Sequence, residues 1–187
     1  MTMNRRDALK SVMVMMGGTM IGASAIMTGC TPENQIEGLD FDPDDIAFLD
    51  ELGDTIIPET DTPGAKAVGI GSFMVMMVKD TYDGDSQKTF VDGLNKLRKD
   101  FKSANGKDFV GAPAEERLTY LNSMYEEYKA SGGERSPQVI NMLRDLTVLG
   151  YFTSEIGSTQ ALNFVESPGR FDPCMPYNPG DKAFALS

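Results

Sequence analysis

Residues 136–156 read SPQVINMLRDLTVLGYFTSEI and contain the longest apolar pattern in the chain. The apolar positions recur three or four residues apart: Val139, Ile140, Met142, Leu143, Leu146, Leu149, Phe152 and Ile156. This spacing predicts a long helix with one apolar side, and Ser136 followed by Pro137 suits its first turn. Other helices have to cover an apolar side of this length, so the stretch favours a helical domain.

Four upstream segments have the same periodicity and are also predicted to be helices. They begin near Asp42, Ile70, Asp85 and Pro113. The first should end before Pro58, because a proline disfavours helical angles in the residue that precedes it. In the second segment, a run of methionines that includes Met76 suggests a helix that is buried on nearly all sides. A methionine-rich stripe of this kind is more often part of the core than a cofactor site. In the fourth, Leu118 is expected to face inward.

Strands are hard to find, because no stretch alternates apolar and polar residues for long. Residues 160–165 are expected to add one short helix before an irregular tail. The predicted fold is therefore all-α, with five to six helices in a single domain over residues 42–187.

Residues 1–29 resemble an export signal. Arg5 and Arg6 precede an uncharged stretch of moderate hydrophobicity from Ser11 to Gly29. A basic head, an apolar middle and a small-residue end are typical of a signal peptide. The paired arginines favour the twin-arginine route, which exports folded proteins; ordinary secretion is the alternative. The mature chain is then expected outside the cytoplasm, in the periplasm or at the cell envelope.

Cys30 ends this segment in the sequence IMTGC, which resembles a bacterial lipobox. Cleavage before Cys30 would make it the new N-terminus and attach lipid to it, with residues 30–41 as a tether. The alternative is an uncleaved helical anchor, since residues 11–29 would span about 28 Å at about 1.5 Å per residue. Either arrangement holds an otherwise soluble domain at a membrane.

The charge of the chain excludes some classes of partner. The whole chain carries −11, and removing the +2 of residues 1–29 leaves −13. Phosphate backbones require lysine and arginine, so this balance argues against nucleic acid as a partner. It also argues against a body that lies flat on anionic lipid.

The composition also limits the chemistry available. The chain has no histidine, which removes the commonest metal ligand and the commonest general base. Neither a catalytic, a metal-binding nor a cofactor-binding residue is therefore predicted. Cys174, the cysteine that remains once Cys30 carries lipid, is expected to be a small buried apolar residue; a reactive or cofactor-facing thiol is the alternative.

Three stretches together resemble one family. They are GDTIIPETDTPGA (53–65), LRDLTVLGYFTSE (143–155) and PGRFDPC (168–174), and the first is the most specific. They resemble the gluconate 2-dehydrogenase subunit 3 family, over roughly residues 40–175. The resemblance implies a non-catalytic small subunit whose large partner is a flavoprotein of the glucose-methanol-choline group. That partner would bind FAD and oxidise a sugar, glycoside or sugar acid, and some complexes add a c-type cytochrome.

Several residues in these stretches are hypotheses for the partner interface. Thr60, Asp61, Thr62 and Pro63 form a loop that either braces the fold or docks a partner. Tyr151 and Phe152 either pack in the core or, where exposed, anchor the interface. Cys174 is included with them. The acidic residues Asp54, Glu59 and Asp61 fit caps and loops better than a paired-carboxylate site.

The leading hypothesis is a subunit that escorts, stabilises and tethers a flavin-dependent dehydrogenase. The alternative is a stand-alone envelope lipoprotein that acts as a binding or scaffold module. An enzyme in its own right is the third possibility, and turnover by the isolated chain would be required to support it.

Overall fold

A computed structural model describes residues 39–131, 138–167, 169, 174–176 and 178–186. The predicted signal of residues 1–29, with Arg5 and Arg6, lies outside the described residues, as do Cys30 and the cap predicted at Ser136 and Pro137. Within the described ranges, no helix combines the length and the hydrophobicity that crossing a bilayer requires.

The described part is mostly helical and forms one domain, which confirms the predicted all-α class. Its five α-helices are α1 (Pro43–Ile56), α2 (Ile70–Thr81), α3 (Gly84–Asn105), α4 (Ala114–Ala130) and α5 (Gln138–Thr153). The shorter elements are the 3₁₀ helices Ala65–Val68 and Phe109–Gly111, the π-helix Gly157–Ala161, and the strands β1 (Asn163–Val165) and β2 (Phe184–Leu186).

The predicted signals at the ends of α1 are confirmed. The Asp42 side chain accepts a hydrogen bond from the Asp45 N–H (2.8 Å), and the Asp45 side chain accepts one from the Asp42 N–H (3.2 Å). This reciprocal cap satisfies two N–H groups that the first turn leaves without helical partners. The helix ends at Ile56, two residues before Pro58. The fold extends slightly upstream of residue 42, since Phe41 packs edge-to-face on Phe90 at 6.2 Å.

Two predicted elements differ from the structure. The third helix begins at Gly84 because the Asp83 side chain caps it, accepting from the Ser86 N–H at 2.7 Å; the cap predicted at Asp85 is wrong. The short helix predicted over residues 160–165 is also wrong. Asn163–Val165 instead pairs in parallel with Phe184–Leu186, a strand far along the chain that local periodicity does not reveal.

The core lies around α5, which packs against each of the other four helices. Gly150 permits a close approach of α5 to α2, because a Cβ there would lie 2.5 Å from side-chain atoms of both Ile70 and Phe73. A chain of edge-to-face aromatic contacts joins α1, α3 and α4 through the second 3₁₀ helix: Phe48 on Phe109, Phe109 on Phe101, and Phe101 on Tyr120. Full burial of each large apolar side chain contributes about 1.5–3 kcal/mol.

Two residues expected to be inward are exposed instead. Leu118 is 47% exposed because Arg117, one position earlier, takes the inward place on α4. Met76 is 50% exposed, so α2 is not buried all round. The buried positions of α2 are Ile70, Gly71, Met74 and Val78, which share one side of the helix.

Candidate partner interface

The loop between α1 and the first 3₁₀ helix, residues 58–64, is held by its own backbone. The Thr60 N–H donates to the carbonyl of Thr62 (3.0 Å) within the loop. At its base, the Ala65 N–H donates to the carbonyl of Ile57 (2.9 Å). These bonds fix the shape of the loop and leave Thr60 and Asp61 exposed at its tip. We call this segment the braced loop.

Tyr151 of α5 supports the braced loop from the side of the core. Its side chain is only 1% exposed, and its hydroxyl donates to the carbonyl of Pro63 at 2.7 Å. The same oxygen lies 3.4 Å from the Thr62 hydroxyl. Tyr151 therefore packs in the core, the first of its two expected places, and does not meet the condition of exposure that a direct interface anchor requires.

Gly64 ends the braced loop where no side chain fits. Its φ of −77° is one that any residue adopts, so the backbone angle does not require glycine here. A Cβ at this position would instead lie 2.6 Å from the Glu59 nitrogen and 2.9 Å from the Ile57 oxygen. The need for glycine here is therefore one of space.

An ion cluster of Glu51, Lys66 and Arg117 lies beside the loop and joins three elements. The Glu51 carboxylate accepts a hydrogen bond from Lys66 on one oxygen and from Arg117 on the other. The Glu51 and Arg117 side chains are 12% and 11% exposed, whereas Lys66 is 54% exposed. The cluster therefore holds α1, the first 3₁₀ helix and α4 together on the side from which the loop emerges.

The cluster shifts the pKa of its carboxyl group. Burial alone raises the pKa of Glu51, but hydrogen bonds from Lys66 and Arg117, together with their charges, outweigh it and place the pKa below 4.5. The sequence-based hypotheses missed all three residues. The sequence does contain a signal for the burial of Glu51. This residue lies one turn of α1 from the buried residues Phe48 and Thr55, on the side that faces inward.

The outer side of α5 changes character along the helix. Its first half carries the polar residues Asn141 and Asp145, whose side chains bond each other at 3.2 Å. Its second half carries Val148, Leu149 and Phe152, which are 43%, 46% and 37% exposed. We call these three residues the apolar helix face. Leu149, expected on the inward apolar side, instead points to solvent, and Phe152 takes the exposed one of its two expected places, because α5 rotates Leu143, Thr147 and Gly150 toward the core.

The apolar helix face lies next to the support of the loop. The ring of Phe152 contacts that of Tyr151 edge-to-face at 5.2 Å. One turn before Val148, Arg144 lines a cavity of about 160 Å³ between α1, α4 and α5. The Arg144 guanidinium bonds the Tyr125 hydroxyl in the same lining at 2.8 Å. Neighbouring positions of α5 thus support the braced loop, line the cavity and form the apolar helix face.

More apolar surface follows α5. Among the described residues, nine large hydrophobic side chains are exposed, and six of them lie at or beyond residue 148. These six are Val148, Leu149, Phe152, Phe164, Met175 and Phe184, which we call the apolar C-terminal surface. Among them, Val148, Leu149 and Phe152 share one side of α5, and neighbouring exposed apolar side chains of this kind are typical of an interaction site. Cys174, expected to be buried, is exposed in this same region.

The acidic residues Asp54, Glu59 and Asp61 lie around the same loop. Glu59 and Asp61 are exposed, while Asp54 lies beside the base of the loop, close to the position that a Cβ on Gly64 would occupy. Within the residues that the structure covers, no group of three or more histidine, cysteine or acidic residues is arranged to hold a metal ion.

Comparison with known proteins gives one match. A family model described as gluconate 2-dehydrogenase subunit 3 matches residues 43–169, more than half of the chain. This range includes the braced loop, the ion cluster and the apolar helix face, and it ends before Cys174 and β2. No curated protein and no solved structure matches the chain.

Proposed function

Because the chain belongs to the gluconate 2-dehydrogenase subunit 3 family, we propose that it is the non-catalytic small subunit of a flavin-dependent dehydrogenase. The large subunit would be a flavoprotein of the glucose-methanol-choline group, which binds FAD and oxidises a sugar, glycoside or sugar acid. The small subunit would stabilise this partner, escort it during export and hold it at a membrane. A c-type cytochrome would complete the complex where electrons leave through haem.

The observation that carries the proposal is the apolar helix face beside the braced loop. Val148, Leu149 and Phe152 stay exposed on a helix whose other side is anchored in the core. A rigid helix that presents apolar side chains loses little conformational entropy on binding, which favours a stable subunit contact. The loop tip at Thr60 and Asp61 adds polar groups at the rim, as subunit interfaces commonly have.

The export signal gives the subunit its proposed role as escort. Arg5 and Arg6 would direct the chain to the twin-arginine route, which carries folded proteins. A partner already bound to the folded small subunit would leave the cytoplasm with it. Lipid on Cys30 would then retain the complex at the membrane, on the side that faces the periplasm or the outside of the cell.

Co-purification tests the subunit assignment. The tagged full-length chain, isolated from its native host in mild detergent, should bring down a protein with an FAD absorbance spectrum that oxidises sugars with an artificial acceptor. Mass spectrometry should identify that protein as a glucose-methanol-choline dehydrogenase. Recovery of the chain without such a flavoprotein, or sugar oxidation by the isolated chain, would contradict the proposal and favour the stand-alone lipoprotein or the enzyme.

Membrane fractionation tests the anchor separately. Cys30→Ala should move the exported complex from the membrane fraction to the soluble fraction while leaving the bound flavoprotein in place. Cys174→Ala is the matched control and should leave the distribution unchanged. A Cys30→Ala variant that still sediments with membranes would favour the uncleaved helical anchor.

A further inference from the structure

The cavity between α1, α4 and α5 has a mainly apolar lining. Ile56 of α1, Leu118 and Leu121 of α4, and Ile140 of α5 contribute its apolar surface. Leu121 and Ile140 are buried, whereas Leu118 is 47% exposed. A molecule in the cavity would remove part of the Leu118 side chain from water, so apolar burial favours occupation of the cavity.

The volume of the cavity limits the size of its occupant. It measures about 160 Å³. An apolar cavity of about 150 Å³ holds one benzene molecule in an engineered protein. Drug-sized molecules require pockets of about 300–1,000 Å³. The cavity therefore has room for one six-membered ring with a short substituent and excludes larger ligands.

Tyr125 and Arg144 supply hydrogen-bond donors to this lining. Arg144 donates from Nη1 to the Tyr125 hydroxyl at 2.8 Å, and from Nε and Nη2 to Asp145 Oδ1 at 3.2 and 3.0 Å. A guanidinium has five N–H groups, so one on each terminal nitrogen has no acceptor among the described residues. The proton of the Tyr125 hydroxyl likewise has none there. The other hydroxyl of the lining, that of Thr55, already donates to the Glu51 carbonyl at 2.7 Å. The cavity therefore offers donors to an oxygen atom of a ligand.

The charges around the cavity favour a neutral ligand over an anion. Asp145 Oδ1 lies 3.0 Å from Arg144 and compensates its positive charge. A second anion would have to share Arg144 with Asp145 and approach a chain of net charge −11. It would also lose hydration in a mainly apolar lining. A neutral carbonyl oxygen accepts the same hydrogen bonds without these costs.

We propose that this cavity is a binding site for a small neutral ring compound that carries one carbonyl group, such as an aromatic ketone. The ring would lie against Ile56, Leu118 and Ile140. The carbonyl oxygen would accept hydrogen bonds from Tyr125 and Arg144, in the usual arrangement of an apolar pocket with a few polar groups that orient the ligand. The site lies within one chain, so the inference goes beyond the proposed function and does not depend on the dehydrogenase.

Titration of the isolated full-length chain with three matched ligands tests the site. Acetophenone carries the carbonyl, ethylbenzene has a methylene group in its place, and benzoate adds a negative charge. Acetophenone should bind with a Kd on the order of 1 mM or tighter and should shift the methyl NMR signals of Leu118, Leu121 and Ile140. At equal free ligand concentrations, the other two should bind at least about fivefold more weakly, because one lacks the acceptor and the other carries a charge.

Tyr125→Phe separates the hydrogen bond from the shape of the cavity. It should weaken acetophenone binding about fivefold and leave ethylbenzene binding unchanged, because it removes only the hydroxyl. Tyr128→Phe on the same helix is the matched control, since Tyr128 lies outside the lining, and it should bind both ligands as the wild type does. The comparison of the three ligands on the wild-type chain decides the matter if Tyr125→Phe fails to fold.

Three results would overturn the inference. Ethylbenzene that binds as tightly as acetophenone would remove the carbonyl acceptor from the site. Tighter binding of benzoate would assign the cavity to an anion. Methyl signals of Leu118, Leu121 and Ile140 that do not respond to acetophenone would show that the cavity is not its binding site. Each of these leaves the subunit proposal intact, and failure to capture a flavoprotein would leave this site intact.

Discussion

The helical body (residues 43–147) and the apolar C-terminal surface differ in the burial of their large hydrophobic side chains. In the body, nearly all such residues are covered by neighbouring helices; among the described residues, Met76, Val110 and Leu118 are the exposed exceptions. The C-terminal surface, in a much shorter length of chain, leaves six exposed. The helix α5 belongs to both, because one of its sides completes the core and the other faces solvent.

This contrast indicates that stability and partner binding depend on different residues. Burial of apolar side chains dominates the free energy of folding, so the body should determine stability. Exposed apolar groups contribute little to the isolated chain but release water when a partner covers them. Substitutions in the two regions should therefore have separable effects, and each of the following experiments examines that separation.

A large aromatic residue in the body should give the strongest effect. Phe101 is fully buried and contacts Phe109 and Tyr120 edge-to-face at 4.9 and 5.2 Å. Phe101→Ala should lower the free energy of unfolding by about 3–5 kcal/mol, because it removes apolar contacts and leaves a cavity. Urea unfolding followed by circular dichroism measures this loss. A loss below about 1 kcal/mol would mean that the body is not the source of stability.

A substitution in the ion cluster should have the second-largest effect on stability, and the cluster should make stability depend on pH. Glu51→Gln removes the charge that pairs Lys66 and Arg117, and should cost about 2–3 kcal/mol at neutral pH, since Arg117 remains buried. The pKa of Glu51 is lowered in the folded state, so its contribution is present above its unfolded pKa and is lost as pH falls through its folded pKa. Unfolding curves between pH 7 and pH 3 should therefore decline less steeply in Glu51→Gln than in wild type. Equal slopes would contradict this role.

A substitution in the braced loop should have a smaller effect on stability, which arises from steric overlap alone. Gly64→Ala forces a methyl group against the backbone of Glu59 and Ile57 and should cost about 1–3 kcal/mol. Gly111→Ala is the matched control, because nothing lies within 4 Å of a Cβ there, and it should change stability by less than about 0.5 kcal/mol. Equal unfolding midpoints for the two variants would show that the loop is not held as described.

The apolar helix face should show the smallest change in stability and a clear change in binding. Val148→Ser combined with Phe152→Ser should alter the free energy of unfolding by less than about 1 kcal/mol, because both side chains are already exposed. Capture of the flavoprotein should fall about tenfold or more. Asn141→Ala on the polar half of the same outer side is the control and should bind normally. Unchanged capture by the double variant would remove this face from the interface.

Much of the helical fold could be predicted because its signals are local. Asp42, Pro43 and Pro58 define α1 through capping and backbone restriction, and both ends agree with the structure. Four of the five buried positions of α3 follow from spacing alone: Phe90, Leu94, Leu97 and Phe101. Two of the errors occur where a residue far along the chain intervened. Leu118 is exposed because Glu51 draws Arg117 inward, and Asn163–Val165 is a strand because β2 pairs with it.

The candidate interface was predicted only in part. The loop residues from Thr60 to Pro63 and the aromatic pair of Tyr151 and Phe152 do come together, but in different roles. Tyr151 braces the loop from inside, and Phe152 reaches the surface. Adjacent residues of a helix point about 100° apart, so their sequence position alone did not show which of the two would be exposed.

The amino-acid sequence alone was sufficient for the all-α class, the main helices and the cap of α1 at Asp42, because these depend on residues a few positions apart. It also carried the family resemblance that the family model confirms. The tertiary structure was needed for the contact of Tyr151 with Pro63, the ion cluster and the strand pair. Each of these joins residues distant in the chain, and their meeting depends on how the helices pack rather than on any local preference.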